Sequence, residues 1–183
     1  MGKGVVWTIL ASLLLVCLVS LGCQKGPETP GGLTLSVVEG YQNWPLISVN
    51  CRKDLGEIHI ILGNSTALED FLYGIPVNGH PFTDGAVLVR LIYSATPNPL
   101  FPQDLVPDHL IGLDFMLKDA QRFKATQGWG YASFSYDPGT RTFRPLPGEK
   151  GSQEKCLHCH EKARKRDYIF TSYTPLKPGK QGR

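Results

Sequence analysis

Cys156-Leu157-His158-Cys159-His160, near the C-terminus of a 183-residue chain, is the stretch on which the reading of this sequence turns. C-x-x-C-H is the attachment pattern of a c-type haem. On a helix, residues three and four apart share one face, so Cys156 and Cys159 can each reach a haem vinyl group while His160 turns its imidazole to the iron. Gln153 to Lys165 holds no Pro or Gly and is rich in Lys, Glu, Arg and Ala, which suits a short helix. Zinc is the rival, since it also takes Cys and His, but a zinc site needs four ligands and no second cysteine pair accompanies this one.

The surroundings of the motif narrow the fold. Five segments read as strands: Pro45 to Arg52, Glu57 to Leu62, Ala86 to Ser94, Leu110 to Leu117 and Trp129 to Tyr136. Asp137-Pro138-Gly139 signals a turn, so the last of these pairs with Arg141 to Pro145 as a hairpin. A helix follows from a capping box at Thr66 and Glu69 and closes at Gly74, and a second short helix is expected over Lys118 to Lys124. Leu33 to Trp44 fits a helical stripe as well as a strand. Small soluble cytochromes c carry the motif near the N-terminus with a methionine ligand downstream, whereas here only 23 residues follow His160 and none is Met. Four-helix-bundle cytochromes carry it late, but they need long amphipathic helices where this chain has strands. What remains is an α+β, mainly β, domain: an antiparallel sheet, a few short helices and a C-terminal haem-attachment helix.

The order of several further blocks adds to this. Arg52-x-Asp54 comes first, then Ile61-Leu62-Gly63-Asn64 with Ala67, Pro81-Phe82-Thr83-Asp84-Gly85 and Phe115-Met116-Leu117-Lys118-Asp119. Gly128-Trp129-Gly130-Tyr131, the haem motif and Arg166-Asp167-Tyr168-Ile169-Phe170-Thr171 complete the series. From about Val38 to Tyr173 the chain resembles the cytochrome P-460 family, which includes the β-sheet cytochromes c-prime. The resemblance implies a five-stranded antiparallel sheet, one five-coordinate haem c, frequently a homodimer, and a distal pocket for small nitrogen species. Some members oxidise hydroxylamine, and in those a strand lysine is joined covalently to the haem rim. Here Arg90 stands at the matching place, with Lys118 as an outside candidate. A guanidinium stays protonated and is a poor nucleophile, so Arg90 argues against a cross-link and for ligand binding or electron transfer.

Other residues carry two readings each. Arg90 alternates with Leu88 and Ile92, and is either a structural partner of an acid such as Asp114 or a cation beside a haem propionate or distal ligand. Met116, the sole methionine after Met1, is core packing or a sixth iron ligand, which would make the protein a six-coordinate electron carrier. His59, His80 and His109 are read as surface or satisfied core residues rather than ligands, and His158 as a solvent-facing filler. Trp129, Tyr131, Phe134 and Tyr136 are expected mostly in the sheet core, with one or two walling a haem. No Ser-His-Asp set, phosphate loop or paired-carboxylate motif stands out.

The ends and the charge bear on location and partners. Residues 1–22 pair a single charge, Lys3, with an apolar run from Val5 to Leu21, as a signal peptide does. Ser20-Leu21-Gly22-Cys23 resembles a bacterial lipobox with Cys23 as the acylated residue, although Ser20 stands where a large aliphatic is usual. An ordinary signal peptide and an uncleaved anchor are the alternatives. Residues 23–32 read as a flexible tether, 33–174 as the haem domain and 175–183 as a loose tail. The expectation is a periplasmic domain held to a membrane by lipid, or a soluble periplasmic one. Cys51, left over once the other cysteines are assigned, is expected to be a buried core residue. Net charge is +3, too slight for nucleic acid, but it is unevenly spread. Residues 23–140 hold seven Lys and Arg against twelve Asp and Glu, and residues 141–183 hold eleven against four. The basic haem-bearing end suits an acidic redox partner.

Overall fold

Alternating β-branched and aromatic runs separated by Gly and Pro turns fold here as a single antiparallel meander. The computed structural model describes residues 26–173. The strands are β1 (Leu46–Arg52), β2 (Glu57–Gly63), β3 (Val87–Pro97), β4 (Leu105–Lys118), β5 (Trp129–Asp137) and β6 (Thr142–Pro145), and they lie side by side in that order. The sheet thus has six strands, one more than the resemblance implies, and the extra one is the hairpin partner marked by the Asp137 turn. Asp137 Oδ1 accepts from Gly139 N at 2.9 Å and fixes that turn.

Helix α1 (Ser65–Leu72) crosses from β2 to β3. Its cap is Asn64 and not the expected Thr66: Asn64 Oδ1 accepts from both Ala67 N (3.0 Å) and Val87 N (3.1 Å). An amide with a donor and an acceptor can also hold Gly85 O at 2.8 Å, which a threonine hydroxyl two residues on could not reach together. No helix spans Lys118 to Lys124. β4 continues to Lys118, and the following residues form turns and a 3-10 segment at Lys124–Thr126. Asp119 Oδ1 accepts from Arg122 N at 2.9 Å as an N-cap does, but the left-handed Gln127 (φ 60°) and Gly128 (φ 86°) turn the backbone into β5 before a helix can extend. Leu33 to Trp44 is neither strand nor α-helix but two 3-10 segments, Leu35–Val38 and Tyr41–Asn43. Cys51 is exposed, not buried, because β1 is the sheet edge and only Ile47 of it is covered. The described end of the expected tether is packed: Thr29 is buried and Thr29 N donates to Leu33 O at 2.9 Å. Residues 1–25 and 174–183, with the leader, Cys23 and the whole of the expected tail, lie outside the described residues.

The sheet has two unlike faces. One packs Val87, Val89, Leu113, Phe115, Ala132 and Phe134 into a hydrocarbon core. The other packs Ile61, Leu88, Trp129 and Tyr131 with Ala67 and Phe71 of α1 and with the C-terminal segment. The aromatics of β5 are therefore divided, since Tyr131 and Phe134 are an odd number of residues apart and point to opposite faces.

Candidate functional site

Helix α2 (Gln153–His160) carries the motif, as the sequence predicts, and a 3-10 segment, Glu161–Arg166, continues from it. Ser152 caps it, its hydroxyl accepting from Lys155 N at 3.2 Å. Gln153 then docks the first turn on β5: its Oε1 accepts from Tyr131 N at 2.8 Å, and its Nε2 donates to Tyr131 O. This side chain imitates a strand partner, so the helix is seated where β5 would otherwise offer a free backbone. Cys156 and Leu157 pack against the mixed core, while Cys159 and His158 face solvent. Burial pushes the Cys156 thiol up to about 11.

His160 lies between two rings, 5.2 Å from Tyr131 and 5.1 Å from Phe170, centroid to centroid. Its Nδ1 is 2.7 Å from Tyr168 O. A carbonyl only accepts, so Nδ1 must carry the hydrogen, and in the neutral ring Nε2 then holds the lone pair. Burial lowers the histidine pKa and so favours that neutral form, opposed by the Tyr168 bond. No described residue engages Nε2. The arrangement is the outer-sphere bond by which proteins orient a metal-binding histidine.

The Tyr168 carbonyl is held by an unusual turn. Asp167 (φ 46°) and Tyr168 (φ 66°) both adopt the left-handed conformation, which costs a non-glycine residue about 1–3 kcal/mol each. Four contacts hold them there. Lys118 Nζ reaches both Asp167 carboxylate oxygens at 2.9 Å, Phe82 N donates to Oδ2 at 2.8 Å, and Trp129 Nε1 donates to Asp167 O at 2.9 Å. Tyr168 N closes the turn on Ala163 O at 3.0 Å. Lys118 is only 5% exposed, so this is a buried ion pair, with the ammonium also 4.9 Å above the Trp129 ring.

Arg90 donates to Asp114, directly opposite it on β4, the pairing that the sequence offered as one reading. Both are half-exposed and lie within electrostatic range of Cys156 and His160. Strand alternation puts Arg90 on the face of Leu88, Met116 and Tyr131. Met116 is half-buried in the same cluster as Cys156 and Leu157. His59, which pairs across the strands with Ile92, shares this face, is 5% exposed and lies 2.8 Å from Glu57. His80 is exposed in a loop, and His109 is exposed beside Ser94 and Asp108. Lys118 is engaged with Asp167.

Sequence reasoning missed three parts of this site. Gln153, Asp167 and the Tyr168 carbonyl act through backbone geometry, and positive φ at two non-glycine residues leaves no signal in composition or periodicity. The Glu57–His59 pair was open to view, since i and i+2 on a strand share a face, but each residue alone looks ordinary.

The residues fit a covalent haem. Two free thiols one helical turn apart sit beside a histidine presented through Nε2, and the Tyr131 hydroxyl is buried with no partner among the described residues. They suit zinc less well: among the described residues no three His, Cys, Asp or Glu side chains converge as a metal-holding group. No curated protein matches the chain. The family model described as Cytochrome P460 matches residues 38–171, from the 3-10 segment before β1 through Tyr168 and Phe170 beyond α2. That span takes in the whole sheet, α2 and the turn behind His160, so the chain belongs to the cytochrome P460 family and is a haem cytochrome.

Proposed function

We propose that this is an exported mono-haem c-type cytochrome that binds small nitrogen species, nitric oxide or hydroxylamine, at an open axial position and exchanges electrons with them. Cys156 and Cys159 would hold the haem through thioethers and His160 would be the proximal ligand. A haem held there supplies a redox-active iron with a coordination position for a small ligand. The observation that carries the reading is the His160–Tyr168 bond, which leaves Nε2 as the coordinating atom beside two free thiols. Arg90, paired with Asp114 on the facing strands, would offer N–H donors to a polar ligand. Because it is an arginine, simple binding and reduction or oxidation of nitric oxide is favoured over cross-linked hydroxylamine oxidation.

A six-coordinate electron carrier is the second reading, favoured by Met116 in the cluster that holds Cys156. Exposed Lys155, Lys162, Arg164 and Lys165 along α2 and the segment after it support an acidic redox partner, steered by charge. Export and lipidation at Cys23 rest on the N-terminal pattern, with the acyl chains as anchor. Nitric oxide uptake by the reduced protein, followed in the absorption spectrum, tests the proposal. Prompt uptake with no lysine-bridged haem peptide is the expected result. An unchanged spectrum would mean a capped iron and favour the electron carrier.

A further inference from the structure

We infer that the buried Lys118–Asp167 pair is a positioning device for His160: it holds the turn whose carbonyl receives the histidine Nδ1–H, and through that bond it sets the electron donation of the ring to a bound iron. The inference rests on the haem reading above and goes beyond it, because it assigns a role to two residues that touch neither the thiols nor the imidazole.

The chain of contacts is continuous. Lys118 Nζ holds both oxygens of Asp167 at 2.9 Å, Asp167 and Tyr168 are successive left-handed residues, and Tyr168 O accepts from His160 Nδ1 at 2.7 Å. Left-handed backbone at Asp and Tyr is not self-supporting, so the carbonyl stays in place only while the turn is clamped. The clamp is stiff because its charges are buried, 6% and 11% exposed at the side chains, where water cannot substitute for a lost partner. A hydrogen bond at Nδ1 raises the basicity of the ligating nitrogen and favours the oxidised metal. Weakening the clamp should therefore lengthen the Nδ1–H···O bond and make the iron easier to reduce.

The test uses the purified holoprotein and two readouts that stability alone does not move: the midpoint reduction potential and the iron–histidine stretching frequency of the ferrous state. Lys118→Met should shift the potential upward and the stretch to lower frequency, and Lys118→Arg should restore most of both shifts. Trp129→Phe keeps an aromatic ring under Lys118 but loses the indole donor to Asp167 O and some buried volume while leaving the Lys118–Asp167 pair in place, so it should shift both readouts the same way by less. It also serves should Lys118→Met fail to fold. Native potential and frequency in haem-loaded Lys118→Met, or in Trp129→Phe, would overturn the inference. An iron–histidine band that survives in His160→Ala would instead overturn the assignment of His160 as proximal ligand on which the inference rests, since another histidine would then hold the iron.

Discussion

The two faces of the sheet are built on opposite principles. The face formed by Val87, Val89, Leu113, Phe115, Ala132 and Phe134 is hydrocarbon throughout and buried. The other is mainly apolar toward one end, where Leu88, Trp129 and Tyr131 share a cluster with Ala67 and Phe71 of α1, and even there it buries Lys118 against Asp167. Beyond Leu88 it carries Arg90 against Asp114 and His59 against Glu57. A sheet that only had to fold would gain from apolar residues there as well, because surface-like ion pairs contribute little and buried ones must offset their own desolvation. Polar pairs on the face that α2 covers thus mark where the fold yields stability to a site.

Substitutions on the two faces should separate these principles. Phe134→Ala on the hydrocarbon face should cost about 3–5 kcal/mol in denaturant unfolding, by cavity formation, while leaving the redox spectrum native. Asn64→Ala removes the cap that ties α1 to β3, and should cost about 1–2 kcal/mol. Arg90→Ala on the mixed face should cost no more than about 1 kcal/mol, because its side chain is 40% exposed and water screens the loss. Its visible effect should be on ligand uptake, and a stability loss as large as that of Phe134→Ala would erase the distinction between the faces. Cys51→Ser at the exposed sheet edge should change stability by less than about 0.5 kcal/mol.

How far the sequence reveals this molecule follows from where each instruction is written. Strands whose pattern has period two were readable, as was the helix under the haem motif, because side-chain type repeats with the geometry. The Asn64 cap was missed since its second and third bonds go to Val87 and Gly85, more than twenty residues away. Cys51 was misread because alternation places a residue on a face but does not say whether that strand lies at the edge. At the site, Cys156, Cys159 and His160 are legible as a motif. The turn at Asp167 and Tyr168 is not, because its conformation is imposed by Lys118, Phe82 and Trp129 from three other segments.

Haem attachment on α2 is the claim on which the rest depends. Mass spectrometry of the proteolytic peptide spanning Cys156 to His160, taken from protein washed with acidified organic solvent, tests it most directly. The account predicts a peptide carrying one haem through both sulfurs, with no free thiol. Two unmodified thiols on that peptide, with the colour gone into the solvent or zinc bound in its place, would contradict it.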